Sequence, residues 1–197
     1  SEALIFGDFT LKSGRNSPYF FNAAKMLNTK FLADLSECYT KTLQELDVSF
    51  DSIYGPAYKG IFLASIIGTS LGESDLDIPI SFNRKEEKDH GEGGDIIGQL
   101  PSGNVLIVDD VISAGTAARE SIEKIKSIGA NPKVMLVGLD RQEKGSSEIS
   151  AKAELENDFG LTVSSIVNLD LLISFVSDAP NFKEFKSDLE EYRSNWG

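Results

Sequence analysis

Apolar and polar positions along this chain change period several times, and each change marks an element. Between residues 30 and 46, Phe31, Leu35, Tyr39, Thr42 and Leu46 recur on one helical face. "DSIYGP" (51–56) reads as a short strand ending in a Gly-Pro turn, with a helix after "AYKG". "IPISFN" (78–83) reads as another short strand. "KEEKDHGEGGD" (85–95) has no apolar residue and three glycines, the composition of a mobile loop. "VLIV" (105–108) is apolar without alternation, as in a parallel strand covered on both faces. From Ala117 to Ile128, Ala118, Ile122, Ile125 and Ile128 recur at helical spacing, and Gly129 stands where a helix stops. "KVMLVGLD" (133–140) and "TVSSIVNL" (162–169) read as further strands, and Phe182, Phe185, Leu189 and Tyr192 as a final amphipathic helix.

Strands alternating with helices predict an α/β fold, a mostly parallel twisted sheet flanked by helices. No repeat, low-complexity tract or linker divides residues 1–197, so the reading is one domain. Ligands in such sheets bind beyond the carboxyl ends of strands. Asp109 and Asp110 stand at one such end.

Composition narrows the classes. The net charge, 19 − 31 = −12, opposes non-specific binding to nucleic acid or to an anionic membrane. No apolar run approaches the ~20 residues of a membrane span. The single cysteine, Cys38, cannot form an internal disulfide, which fits a reducing, cytoplasmic setting, and its place in a helix reads as structural. One Cys and one His are too few for a structural zinc site.

The segment "VLIVDDVISAGTAARES" (105–121) carries the chemistry. The small turn at Ser113–Thr116 leads into a helix, whose first N–H groups and dipole favour an anion. Gly115 permits close approach, and Ser113 and Thr116 add hydroxyl donors. The aspartates before the turn repel a phosphate but accept hydrogen bonds from neutral hydroxyls, so a sugar phosphate satisfies both halves. The alternative is that Asp109 and Asp110 cap the helix and face water. Neither G-x-x-x-x-G-K-[ST] nor G-x-G-x-x-G is present; "GPAYKGIF" has glycines at the right separation but no Lys after the second. "GPAYKG" (55–60) is either an ordinary strand-to-helix turn or one presenting backbone N–H groups and Lys59 to a diphosphate. "RKEEKDHGEGGD" (84–95) is either a solvated hairpin tip or a cationic lid over an anionic leaving group.

These residues bear a resemblance. "VLIVDDVISAGTAARES" resembles the ribose-phosphate signature of the type I phosphoribosyltransferases. With "FTLKSGRNSPYFFN", "GPAYKGI", "FNRKEEKDHGEGG" and "LDRQE", in that order, nearly the whole chain resembles the orotate phosphoribosyltransferase family. The resemblance implies the type I phosphoribosyltransferase fold, with residues 1–30 contributing to a small N-terminal hood over the base. It implies transfer of a phosphoribosyl group from 5-phosphoribosyl 1-pyrophosphate to orotate, with Mg²⁺, giving orotidine 5'-monophosphate and pyrophosphate in pyrimidine biosynthesis. It implies a homodimer with active sites shared across the interface.

By the same resemblance, Val111, Ile112, Ser113, Ala114, Gly115, Thr116 and Ala117 hold the 5-phosphate, and Asp109 and Asp110 the ribose. Tyr58, Lys59, Arg84, Lys85, Lys88 and His90 serve the diphosphate, as does Lys12 from the adjoining subunit. Phe20, Phe21 and Arg141 meet orotate. Lys88, Asp109 and Asp110 are the catalytic candidates. Ser113 replaces the Thr that the family often has, with the hydroxyl kept. Family members usually carry a further helix before the L-x-F-G-x-F segment, at which this sequence nearly opens. A purine-specific transferase is a second reading, against which Phe20, Phe21 and Arg141 speak through the resemblance. A regulator that only senses the sugar donor is a third, opposed by the negative charge.

Overall fold

Two adjacent strands explain the architecture. In β6 (Asn104–Ile112), Val105 and Ile107 face one side while Leu106 and Val108 face the other, and all four are fully buried. In β7 (Asn131–Asp140), Met135 and Val137 oppose Val134 and Leu136 in the same way. Side chains alternate across a strand, so a strand apolar on both sides must be covered on both. Burying each of these residues contributes about 1.5–3 kcal/mol.

Helices provide the covers. In this computed structural model, which describes residues 1–11, 13–88 and 94–197 (of residues 86–88 the backbone alone), six strands form the main sheet in the order β5-β4-β3-β6-β7-β8. Here β3 is Ser52–Gly55, β4 Ile80–Lys88, β5 Gly94–Gly98 and β8 Thr162–Asn168. Neighbours are parallel except β5, which runs antiparallel to β4. On one face α1 (Thr29–Leu46) and α2 (Lys59–Gly72) pack through Tyr39, Leu43, Leu63, Ala64 and Ile67. On the other, α3 (Thr116–Ser127) and α4 (Ala151–Phe159) pack through Ile122, Ile125 and Leu155. A third cluster joins β7 through Leu139 to α5 (Leu169–Asp178), α6 (Lys186–Trp196) and Tyr19 of a separate antiparallel hairpin, β1 (Leu4–Thr10) and β2 (Asn16–Phe21). Among the described residues no helix is long and apolar enough to cross a membrane.

Several expectations need correction. The loop expected at 85–95 overreaches at both ends, β4 continuing through Lys88 and β5 beginning at Gly94, and residues 89–93 lie outside the described residues. Main-chain pairing with β5 stabilises this polar arm, so side-chain hydropathy did not reveal it. On α1, Leu43 is buried where Thr42 was expected to contribute, and the Thr42 hydroxyl donates to the Cys38 carbonyl. Cys38 is exposed on that helix. The final helix is split: a 3-10 segment, Pro180–Phe185, precedes α6 because proline suits a helix start. Gly129 does stop α3, with φ +84° one residue past Ile128.

Candidate active site

The site lies at the carboxyl ends of β3 and β6. After β6 the chain turns through Ser113 and Ala114 to Gly115, whose φ of +83° favours glycine, and α3 starts at Thr116. Val111 through Ala117 line one cavity of about 300 Å³. Ser13, from the turn between β1 and β2, lines it too; the sequence reading missed it because nothing local ties that serine to a segment a hundred residues away.

The floor of this turn is braced. A Cβ built on Gly115 would stand 3.3 Å from Ala151 at the start of α4. On α4, Glu154 accepts bonds from the backbone N–H and hydroxyl of both Ser146 and Ser147 and from Arg119 of α3. The Ser147 hydroxyl and the Ser146 amide are the main causes that lower its carboxyl to about 2. The turn at 113–116 therefore rests on a helix pair pinned by a carboxylate held in its ionised form at neutral pH.

The alternation of β6 resolves the paired aspartates. Asp110 continues the face of Leu106 and Val108, toward α2, and its Oδ2 lies 3.1 Å from Lys59 Nζ at the first position of that helix. Asp109 continues the face of Val105 and Ile107, toward α3. Asp109 thus borders the cavity beside α3 and Asp110 meets Lys59, yet the two carboxylates remain close enough to interact directly. Burial, then Asp110's charge, still pushes the Asp109 carboxyl from 3.8 up to about 7. Its Oδ1 accepts from the Asp110 N–H at 2.9 Å, and its carbonyl accepts from Tyr39 Oη at 2.9 Å.

Asp109 and Ala117 also line a second cavity of about 230 Å³ with Tyr54, Asn83, Lys85, Glu120 and Lys124. Asn83 holds the turn after β3, accepting from the Ala57 N–H at 2.6 Å. Sequence reading singled out Lys85 here but not Asn83 or Lys124; helical spacing alone shows no reason for Lys124 to face a strand end. Arg84 Nε is buried with no hydrogen-bond partner among the described residues. Tyr58 is exposed beside Lys59. Lys12, His90 and the Lys88 side chain lie outside the described residues.

The residues expected at the base are arranged differently from one another. On β2, Phe20 is exposed and its ring lies 5.6 Å from Phe9, while Phe21 lines an apolar cavity of about 230 Å³ with Leu4, Tyr39 and Leu139. Neighbours on a strand point to opposite faces, so the two rings are not brought together. Arg141, one residue past β7, is buried and not a surface charge. Its Nη2 donates to Ser17 Oγ at 2.8 Å and Tyr192 Oη at 2.9 Å, and its Nε to Glu143 at 2.5 Å. A wider cavity of about 500 Å³ between the hairpin and α6 carries Asp8, Asp188 and Glu191, a lining that repels anions.

A mostly parallel sheet whose central strand ends in paired aspartates, followed by a small-residue turn with flanking hydroxyls into a helix, is the framework of the phosphoribosyltransferase class. The family model described as "Phosphoribosyl transferase domain" matches residues 24–155. The chain is 49% identical over 195 residues to an orotate phosphoribosyltransferase of Pseudomonas savastanoi, covering 98% of this chain and 92% of that one. It is 48% identical over 194 residues to that of Marinobacter nauticus, with the same coverage. A crystal structure of orotate phosphoribosyltransferase from Francisella tularensis matches with a TM-score of 0.83 and 37% identity, over 100% of this chain and 95% of that one. The chain belongs to the orotate phosphoribosyltransferase family of the phosphoribosyltransferases.

Proposed function

We propose that the chain transfers the phosphoribosyl group of 5-phosphoribosyl 1-pyrophosphate to orotate, giving orotidine 5'-monophosphate and pyrophosphate for pyrimidine biosynthesis in the cytoplasm. One observation carries the reading: residues 111–117, with Ser13, line a cavity of about 300 Å³, roomy enough for a phosphate, directly after Asp109 and Asp110, at the strand end where Lys59 also arrives. The 5-phosphate takes the N–H groups and hydroxyls of the turn. The ribose hydroxyls lie against Asp109 and Asp110, and the diphosphate extends toward Lys59, Arg84 and Lys85.

Chemistry at C1 breaks the bond to the diphosphate oxygen as the bond to the base nitrogen forms. Positive charge grows on the sugar and negative charge on the leaving group. The protein's task is to position both partners and to neutralise that charge. Asp109 and Asp110 favour the cationic sugar, while Lys59, Lys85, Arg84, Lys88 and His90 favour departing pyrophosphate. Among the described residues no three His, Cys, Asp or Glu side chains gather into a metal cage. The oxygen-only donor set fits Mg²⁺ held through substrate and water. When bound, Mg²⁺ supplies charge neutralisation at the diphosphate. Arg141, beyond the end of β7, would meet the carboxylate-bearing base.

The test is incubation with the sugar donor, Mg²⁺ and orotate while orotate absorbance is followed. Absorbance should fall, and adenine or hypoxanthine in place of orotate should give no nucleotide. No loss of absorbance with folded protein rejects the reading. A shared-site dimer adds a second expectation. Lys88→Ala and Asp110→Ala should each lower turnover at least tenfold, roughly 1.4 kcal/mol in barrier. Mixing the two variants should then restore activity, because one site per mixed dimer is intact. Verified subunit exchange without recovery rules out sharing.

A further inference from the structure

We propose that Glu143 is a positioning residue for base recognition, fixing the guanidinium of Arg141 so that one edge is left for a planar, anionic base. The proposal rests on the reading above that Arg141 serves the base.

Glu143 is a buried carboxylate, 1% exposed, that the mechanism does not otherwise use. Its Oε1 accepts from Arg141 Nε and from Tyr192 Oη, each at 2.5 Å, and its Oε2 accepts from Arg15 Nη1 at 2.7 Å. A guanidinium has five N–H donors. On Arg141 the one at Nε goes to Glu143, and the two at Nη2 go to Ser17 and Tyr192. The pair at Nη1 has no partner among the described residues. The side chain as a whole is 4% exposed. The Tyr19 ring lies 4.1 Å from Arg141 Cζ and closes one face of the guanidinium plane. Rotation about the side chain would break three hydrogen bonds together with this contact.

Charge points the same way. Within the cluster one carboxylate stands between two guanidiniums, leaving one unit of positive charge, set against Asp8, Asp188 and Glu191 that line the cavity on the Ser17 and Tyr192 side. A carboxylate-bearing base would be attracted to it, and a neutral purine less so. Arg15 comes from the hairpin: it also donates to the Lys144 carbonyl at 3.1 Å and lies 4.8 Å from the Trp196 ring. Glu143 therefore ties the hairpin, the end of β7 and α6 to one geometry. Without its charge the two guanidiniums repel, and Arg141 loses its alignment before the fold is lost.

Steady-state kinetics with both substrates test this. Glu143→Gln keeps the shape and removes the charge; it should raise the KM for orotate at least tenfold and leave the KM for the sugar donor within twofold. Tyr192→Phe keeps the ring and removes one anchor; it should raise the orotate KM about threefold with the same selectivity. Arg141→Ala is the control. If it leaves the orotate KM unchanged, the base reading itself fails. If it raises that KM while Glu143→Gln and Tyr192→Phe do not, the positioning role is overturned and the base reading stands. Equal rises in both KM values show general loosening and also overturn it. Should Glu143→Gln fail to fold, Tyr192→Phe decides alone by the same criteria.

Discussion

Asp109→Asn is expected to melt higher than the parent at pH 8 and to lose nearly all turnover. The Asp109 carboxyl is driven from 3.8 to about 7 by burial and by Asp110. Between about pH 4 and 7 the folded protein therefore binds more protons at this group than the unfolded chain does. Stability then falls as pH rises through that window and reaches its low plateau above it. A shift of one unit corresponds to 1.36 kcal/mol, but the carboxyl is not sealed from solvent and is coupled to Asp110, so the relief is on the order of 2 kcal/mol. That is roughly 4–8 °C for a domain of this size. Asparagine keeps an oxygen for the Asp110 N–H, so the strand end should hold its shape. Activity should move the other way, by roughly 10²–10³ fold, because the proposed mechanism has this charge facing the developing cation. Thermal melts from pH 4 to 8, run beside turnover, check both limbs. A variant no more stable than the parent at pH 8 would show that the carboxylate is not strained in the free protein.

The second large effect is structural: Gly55→Ala should destabilise the protein by about 3 kcal/mol, lowering the melting temperature by roughly 6–12 °C. Gly55 ends β3, and the chain returns at once as α2. A Cβ there would stand 2.2 Å from the Gly60 carbonyl oxygen and 2.9 Å from Ala64 Cβ. Gly60 answers from the other side, its own Cβ position lying 2.7 Å from the Gly55 carbonyl carbon and from the Val108 carbonyl oxygen. Backbone meets backbone, so no flexible side chain can move aside. Lys59 sits inside this contact, and displacing α2 separates it from Asp110, so turnover should fall beyond what unfolding explains. Gly72→Ala, at the far end of α2 with nothing within 4 Å of its Cβ position, is the control. It should be neutral or gain a few tenths of a kcal/mol, as alanine outranks glycine in helices. Equal melting temperatures for the two variants would disprove the close packing at Gly55.

Much of this was legible in one dimension because single residue types carry it. Unbroken apolar runs at 105–108 and 134–137 require cover on both faces, which dictates helices on either side of a parallel sheet. A small-residue turn after a buried strand and before a helix leaves main-chain N–H groups that suit an anion. The hairpin β1–β2, strand β5 and helices α4 and α5 were not read, since their stability comes from partners distant in sequence. Strand β5 holds its place by main-chain bonds to β4, and Tyr19 of β2 is buried by α5 and α6.

Local order along the chain determined the sheet, the helices beside it and the phosphate turn, because backbone geometry and side-chain periodicity act over a few residues. Only the tertiary structure decided where charges meet. It held the Asp109 and Asp110 carboxylates within reach of each other, carried Lys59 to one of them, buried Arg141 with Glu143, and parted Phe20 from Phe21. Those outcomes depend on distance through space, and Coulomb and hydrogen-bond energies are set by that distance and by burial, neither of which is written in the spacing of residues.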